Sequence, residues 1–369
     1  MEACNFRAAL LDLLLNNKSL FFNLFKIMAL IKRNVSLLVL VLAWVIGAAA
    51  CRGTIIGETA YVVSEKADVR NSTSKANNSV GGLKRGDQVT IIERSSQGES
   101  TSVKIKGPDG IEGWTSPTNL ATQSNVDKSK EIAGQIAGFS AQAECRNGKS
   151  VKLRSTPDRS GDANVIVQLP AGALFEITAR ETKPKMVDPA AKPVAKPETA
   201  EANKAPESNY EVWYKVRVKD NEIVPAGYVY GGSVDLEVPQ EIQHFAQEKK
   251  RIVGWQRLGT VKDSKGLDNS HFVIFQKTVP SVDEKSDFDY LHIIGFDAKN
   301  RSVSYYNVLR EEMRGSFPVK TTLEGQNATF SFDSLDASNH KTPIVYTVQT
   351  MEKGRLKADR PGLPANAKR

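Results

Sequence analysis

The chain has 369 residues, 40% hydrophobic and 25% charged, with a formal net charge of +8. That length suits two or three domains after a leader is removed. The charge sits at the ends: residues 1–50 carry +3 and residues 353–369 carry +5, so the body between is near neutral, and the overall basicity indicates no nucleic-acid-binding face.

Residues 1–27 form an interrupted hydrophobic stretch, and Met28-Ala29-Leu30-Ile31-Lys32-Arg33 reads as the better start of the chain. Residues 28–50 then read as a signal peptide. Lys32-Arg33 supplies the basic region, and the apolar run from Val35 to Ala50 falls short of the roughly 20 residues a membrane span needs. The run ends Ala48-Ala49-Ala50-Cys51, which resembles a bacterial lipobox. The resemblance implies a diacylated Cys51 as mature N-terminus, a palmitate-type anchor and a place in the cell envelope. Arg52 follows where inner-membrane lipoproteins commonly carry Asp, which implies the outer membrane of a two-membrane cell. The alternative is a plain secretory leader cut after Ala50. With Cys51 acylated, Cys145 has no disulfide partner within the chain and reads as a small packed residue.

From residue 57 one pattern is written twice. The first copy, 57–123, reads Ala67-Asp68-Val69-Arg70, then Gly82-Leu83-Lys84-Arg85-Gly86-Asp87-Gln88-Val89-Thr90-Ile91, then Gly113-Trp114-Thr115 and Asn119-Leu120. The second, 142–238, reads Val151-Lys152-Leu153-Arg154-Ser155-Thr156-Pro157, then Gln168 to Ile177, Trp213-Tyr214-Lys215-Val216, Gly227-Tyr228-Val229 and Asp235-Leu236. Val89 and Ile91 alternate with Gln88 and Thr90 as a half-buried strand does. Gly86 and Gly172 sit where the chain must turn tightly, and Asp109-Gly110 marks a hairpin. Both copies resemble bacterial SH3-like domains, which implies two small β-barrels and a binding rather than catalytic role. The first copy has Ser102-Val103-Lys104-Ile105 where the family has its Trp-Tyr-Lys-Val strand.

Neighbours along a strand face opposite sides. Of Trp213, Tyr214, Tyr228 and Tyr230, one member of each pair is therefore expected at a groove, where polar-edged aromatics suit glycan or peptide contact. The opposing reading makes Trp213 and Tyr228 barrel core. Only Trp114 represents this set in the first copy, so weaker or no binding is expected there.

Between the copies, 124–141 reads as a polar linker with a short helical stretch, Ile132, Ala133, Ile136 and Ala137 sharing a face. Residues 183–208 form a Pro/Ala/Lys insertion, read as an overgrown, disordered hairpin loop. A short helix is expected from Pro239 to Arg251, opening a third domain, 239–352. That domain reads as an antiparallel β-meander or barrel with strands at 252–262, 271–278, 290–297, 302–308, 328–333 and 344–351, and a turn at Asp297-Ala298-Lys299-Asn300. The basic tail, 353–369, is expected to be disordered. The fold class is thus mostly β: two SH3-like barrels and a β-rich C-terminal domain.

Catalytic constellations are absent from the pattern. Cys145 lies inside a binding module, and His244, His271, His292 and His340 lack metal-ligand spacing. Ser338-Asn339-His340 has no nucleophile-elbow glycines. Asp283-Glu284 reads as solvated loop, and no phosphate or dinucleotide loop occurs. No enzyme activity, cofactor or metal is expected. Two functions follow: an envelope protein whose SH3-like modules bind peptidoglycan or an envelope partner, or a scaffold whose C-terminal β domain binds a protein or a small apolar ligand.

Overall fold

A computed structural model describes residues 57–73, 79–97, 100–185, 210–246, 249–279, 285–298 and 305–359. The leader, Cys51, most of the insertion, the turn at 299–300, Asp283-Glu284 and the last ten residues lie outside them. The architecture is mostly β, with three seven-stranded antiparallel sheets and, among the described residues, two α-helices.

The first sheet takes β1 (Glu58–Val62), β2 (Lys66–Arg70), β3 (Ser79–Lys84), β4 (Gln88–Gln97), β5 (Ser100–Lys106), β6 (Glu112–Thr115) and β7 (Leu120–Thr122) in the order 3-2-6-5-4-1-7. The second takes β8 (Ala143–Arg146), β9 (Val151–Arg154), β10 (Val165–Leu169), β11 (Leu174–Pro184), β12 (Tyr210–Val218), β13 (Ala226–Tyr230) and β14 (Asp235–Leu236) in the order 10-9-13-12-11-8-14. Shifted by seven, the two orders are identical, so the written repeat is a folded repeat. In both sheets the ladders of the described residues form an open series and close no ring.

The turn chemistry explains the register. Asp109 and Gly110 both have positive φ (58° and 77°), as the β5–β6 hairpin needs. Gly86 and Gly172 hold φ of 92° and 86° just before β4 and β11. Val89 and Ile91 are buried while Ile92 faces solvent, the expected alternation. β11 and β12 pair out to Pro184 opposite Tyr210, so the insertion lies within one hairpin, although Lys183 and Pro184 are strand rather than loop.

The segment read as a linker is instead part of the core. Helix α1 (Gln123–Gln135) is capped by Thr122 and buries Val126, Ser129 and Ile132, with Ile136 just beyond its end. These apolar positions join the hydrophobic cluster of the second sheet, with Leu153, Ile166 and Ala226. Ser129 Oγ donates to the Ala226 carbonyl (2.6 Å) and accepts from the Ala226 N–H (3.0 Å).

The third sheet runs β15 (Lys250–Lys262), β16 (Asp268–Thr278), β17 (Phe288–Phe296), β18 (Tyr305–Glu324), β19 (Asn327–Leu335), β20 (Lys341–Thr350) and β21 (Leu356–Asp359) as a meander in chain order. Phe272 and Ile274 of β16 face the second sheet's core, while Val273 and Phe275 face a separate cluster with Phe288, Phe317 and Phe330. Three expectations need correction. Helix α2 is a single turn, Gln240–Gln243, because Lys250 already belongs to β15. The strand expected at 302–308 runs from Tyr305 to Glu324. Its charged middle, Arg310-Glu311-Glu312, hides a strand that pairs β17 with its first half and β19 with its second. Part of the tail is also ordered: β21 pairs with β20, and Leu356 and Ala358 alternate with Lys357 and Asp359 on its packed side.

Candidate functional site

In the second module the aromatic residues largely bury themselves. Trp213 is 1% exposed and Tyr228 9%. Trp213 opposes Tyr230 across the β12–β13 ladder, and their rings meet edge-on at 5.7 Å. The Arg159 guanidinium lies 4.5 Å over Tyr230 and donates to the buried Glu211 carboxylate (Nε–Oε1 2.8 Å). Burial, together with the nearby Glu181 carboxylate, pushes the Tyr228 hydroxyl up to about 12. Lys215 sits 5.2 Å over the Tyr228 ring. Tyr214, on the opposite face, is partly buried against the core shared with the third sheet, and burial raises its phenol against the pull of Arg180 and Arg251. Of the four tyrosine and tryptophan positions in this set, Trp213 and Tyr228 therefore match the core reading. Tyr230 retains partial exposure at the surface.

Register places the first module's residues on the same frame. Trp114 opposes Arg70, as Tyr228 opposes Arg154. Lys104 opposes Trp114 as Lys215 opposes Tyr228. Counting back along the strand, Ser102 stands where the second module has Trp213. Gly113 and Gly227 precede the aromatic in both, because a Cβ at Gly113 would press on the Arg70 carbonyl and approach the Val69 side chain to 2.8 Å.

The substitution of Ser102 for Trp leaves space. A cleft of about 510 Å³ opens on this face, lined by Asp68, Arg70, Thr101, Ser102, Asn119 and the partly exposed Trp114, among others. Lys66, Arg70 and Asp68 give the lining one net positive charge. The sequence contained the signal, since Ser102 interrupts the Trp-Tyr motif. Read as a lost aromatic, it suggested a weak module; in three dimensions it is a vacated volume beside a remaining one.

A second concentration of chemistry lies at the junction with the third sheet. Arg180 and Asp287 form an ion pair at 2.7 Å, both side chains 9% exposed, and Asp287 also accepts from the Phe317 N–H (2.7 Å). Burial pushes the Asp287 carboxyl up, opposed by Arg180. These groups are spent on each other and leave no reactive arrangement. Cys145 is fully buried, its thiol pushed up to about 12 by burial. Among the described residues, no three His, Cys, Asp or Glu side chains gather as a metal site. No described helix is long and apolar enough to cross a membrane.

No protein-family description matches the chain, and no curated protein matches it. Among solved structures, NlpC2 from Trichomonas vaginalis is 8% identical, covering 82% of this chain and 92% of that one at a TM-score of 0.16. NlpC1 from the same organism is 9% identical, covering 78% and 87% at 0.16. A crystal structure described as a putative autolysin from Listeria monocytogenes is 9% identical, covering 68% and 93% at 0.16.

Proposed function

We propose that this chain is a non-catalytic, lipid-anchored bacterial envelope protein. Cys51 holds it to the membrane, the outer one in a two-membrane cell, and its SH3-like modules meet peptidoglycan or another envelope partner. The observation that carries the reading is the open cleft beside Trp114, set against the same face of the second module, which Trp213 and Tyr230 fill. The first module then binds, and the second joins it to the third sheet. The Ala-Ala-Ala-Cys end of the leader supports the anchor, since two acyl chains on one Cys give stable attachment.

Purified sacculi mixed with the full chain test the reading. Retention should fall sharply in Trp114→Ala while the fold persists. Undiminished retention of that variant would remove the cleft from the function. Palmitate labelling tests the anchor separately: Cys51→Ser should lose both label and membrane fraction, and a variant that stays on the membrane overturns it. A second reading, a scaffold that presents the third sheet, draws on the shared core between second module and third sheet. Undiminished retention in Trp114→Ala, with loss on changes in the third sheet, would favour it.

A further inference from the structure

We propose that the cleft of the first module takes sugar rings of an envelope glycan, stacked on Trp114, and not peptide; the proposal rests on the envelope-binding reading above. Three features of the cleft select this ligand.

The first is the balance of the lining. Trp114 supplies one flat, partly exposed apolar face, and Ser72, Thr73, Thr101, Ser102 and Ser116 line the cleft around it with hydroxyls. Asp68 and Asn119 add a carboxylate and an amide. A pyranose has the complementary make-up: a C–H face that packs on an indole and a rim of hydroxyls that each donate and accept. Among the described lining side chains Trp114 is the one large apolar group, which gives an apolar peptide side chain little to pack against.

The second feature is topology. An extended peptide gains affinity by adding to an unpaired strand edge. Here the cleft lies over β2, β6 and β5, which are consecutive inside the sheet and paired on both sides: β2 with β3 and β6, β6 with β2 and β5, β5 with β6 and β4. The β2–β3, β5–β6 and β4–β5 ladders use those strands' backbone groups, while β2 and β6 meet at one pair, Arg70 opposite Trp114. The edges of this sheet, β3 and β7, are at its two ends.

The third is charge and size. Lys66 and Arg70 outweigh Asp68 by one charge, which suits a neutral or carboxylate-bearing glycan and disfavours a polycation. The volume of about 510 Å³ is within the range of roughly 300–1,000 Å³ found for ligand sites.

The second module supplies the decisive variant. Ser102→Trp places in the first module the side chain that closes the same face in the second, at a partly exposed strand position that borders the cleft. Calorimetric titration of the full chain with soluble glycan strands freed of peptide, and separately with free stem peptides, reads the outcome. Glycan strands should bind the unaltered chain, weaken by roughly tenfold or more in Trp114→Ala, the scale of a lost aromatic contact, and cease to bind in Ser102→Trp. Circular dichroism and melting temperature should be unchanged in Ser102→Trp, and stem peptides should give no heat. Binding of stem peptides in place of glycan overturns the inference; if both variants still abolish retention on whole sacculi, the envelope-binding reading survives. Glycan binding that neither variant moves overturns the inference and leaves the envelope-binding reading at another site, whereas retention on sacculi that neither variant moves overturns the inference and removes the cleft from the function. Absence of titration by either ligand overturns the inference alone if both variants reduce retention.

Discussion

Single residues in this protein carry roles that their type alone does not announce. Ser102 is an ordinary strand serine until register sets it against Trp213. Gly113 and Gly227 are small because two strands pass too closely for a Cβ, not because the chain turns. Gly113→Ala should therefore destabilise the first module by about 2 kcal/mol or more, since backbone and a packed valine must both give way. Gly82→Ala is the matched control: a Cβ there meets nothing within 4 Å. Its effect should be near zero or slightly stabilising, by less than about 1 kcal/mol. Thermal melts of the two variants decide the point, and equal losses would refute the close-approach account. The sequence showed these glycines as motif letters. What it lacked was the partner strand, Val69–Arg70, more than forty positions away.

Elements were legible where a local period marked them. β4, β15, β16, β19 and β20 follow alternation or continuous apolar runs, and Asp109-Gly110 fixed its hairpin. α1 was legible as a helix and illegible as core, because its destination, the second module, begins only after it ends. Ser129 on its inner face is buried and bonded twice to Ala226. Ser129→Ala should cost about 2 kcal/mol by leaving buried polar groups on Ala226 short of partners. Loss of the same size in Lys130→Ala, on the exposed face, would show helix propensity rather than this contact at work. β18 and β21 were misread for a different reason. Charged or basic composition masked strands whose pairing is set by neighbours already in the sheet. For the insertion, the β11–β12 pairing out to Pro184 and Tyr210 brings its two ends together. Replacing residues 186–208 by a short Gly-containing turn should leave the melting temperature within a few degrees, since loop length enters closure entropy only logarithmically. A large drop would mean that the loop packs.

At the scale of the whole molecule, the second module and the third sheet share one apolar core and are stapled by polar groups. Gln142 is fully buried and bonds across the junction: its side chain donates to the Val319 carbonyl (2.9 Å) and accepts from the Val319 N–H (2.7 Å). Its own carbonyl accepts from the Trp255 N–H (2.7 Å). Gln142→Leu keeps the volume and strands the Val319 N–H, while the Val319 carbonyl still accepts from Gln256 (3.0 Å), so it should lower stability by about 1–3 kcal/mol. It should do so in one cooperative transition, because module and sheet have a common core. Two separate transitions would refute that coupling. Nothing in the sequence near Gln142 or Val319 marks this bond, which spans 177 positions.

Acid is the remaining global lever, and it acts through the third sheet. His271 is fully buried, its Nδ1 accepting from the Phe296 N–H (3.0 Å) and its Nε2 without a partner. His292 is 2% exposed with neither ring nitrogen bonded. Burial lowers both imidazoles to about 4, with Arg310 and Lys250 adding to the effect at His292. An unfolded histidine takes its proton near 6.5. As pH falls, the unfolded chain is protonated first, so the stability due to these neutral histidines is complete above about 6.5 and drains away between 6.5 and 4. The expected loss is on the order of 1 kcal/mol per histidine per pH unit in that window. His292→Leu removes a buried polar group and its titration together. It should match or exceed the unaltered protein at pH 7 and gain on it further at pH 5. Melting curves at the two pH values measure the difference directly. A variant whose advantage stays constant from pH 7 to 5 would show that His292 takes up its proton equally in folded and unfolded chains, contrary to its burial in the third sheet.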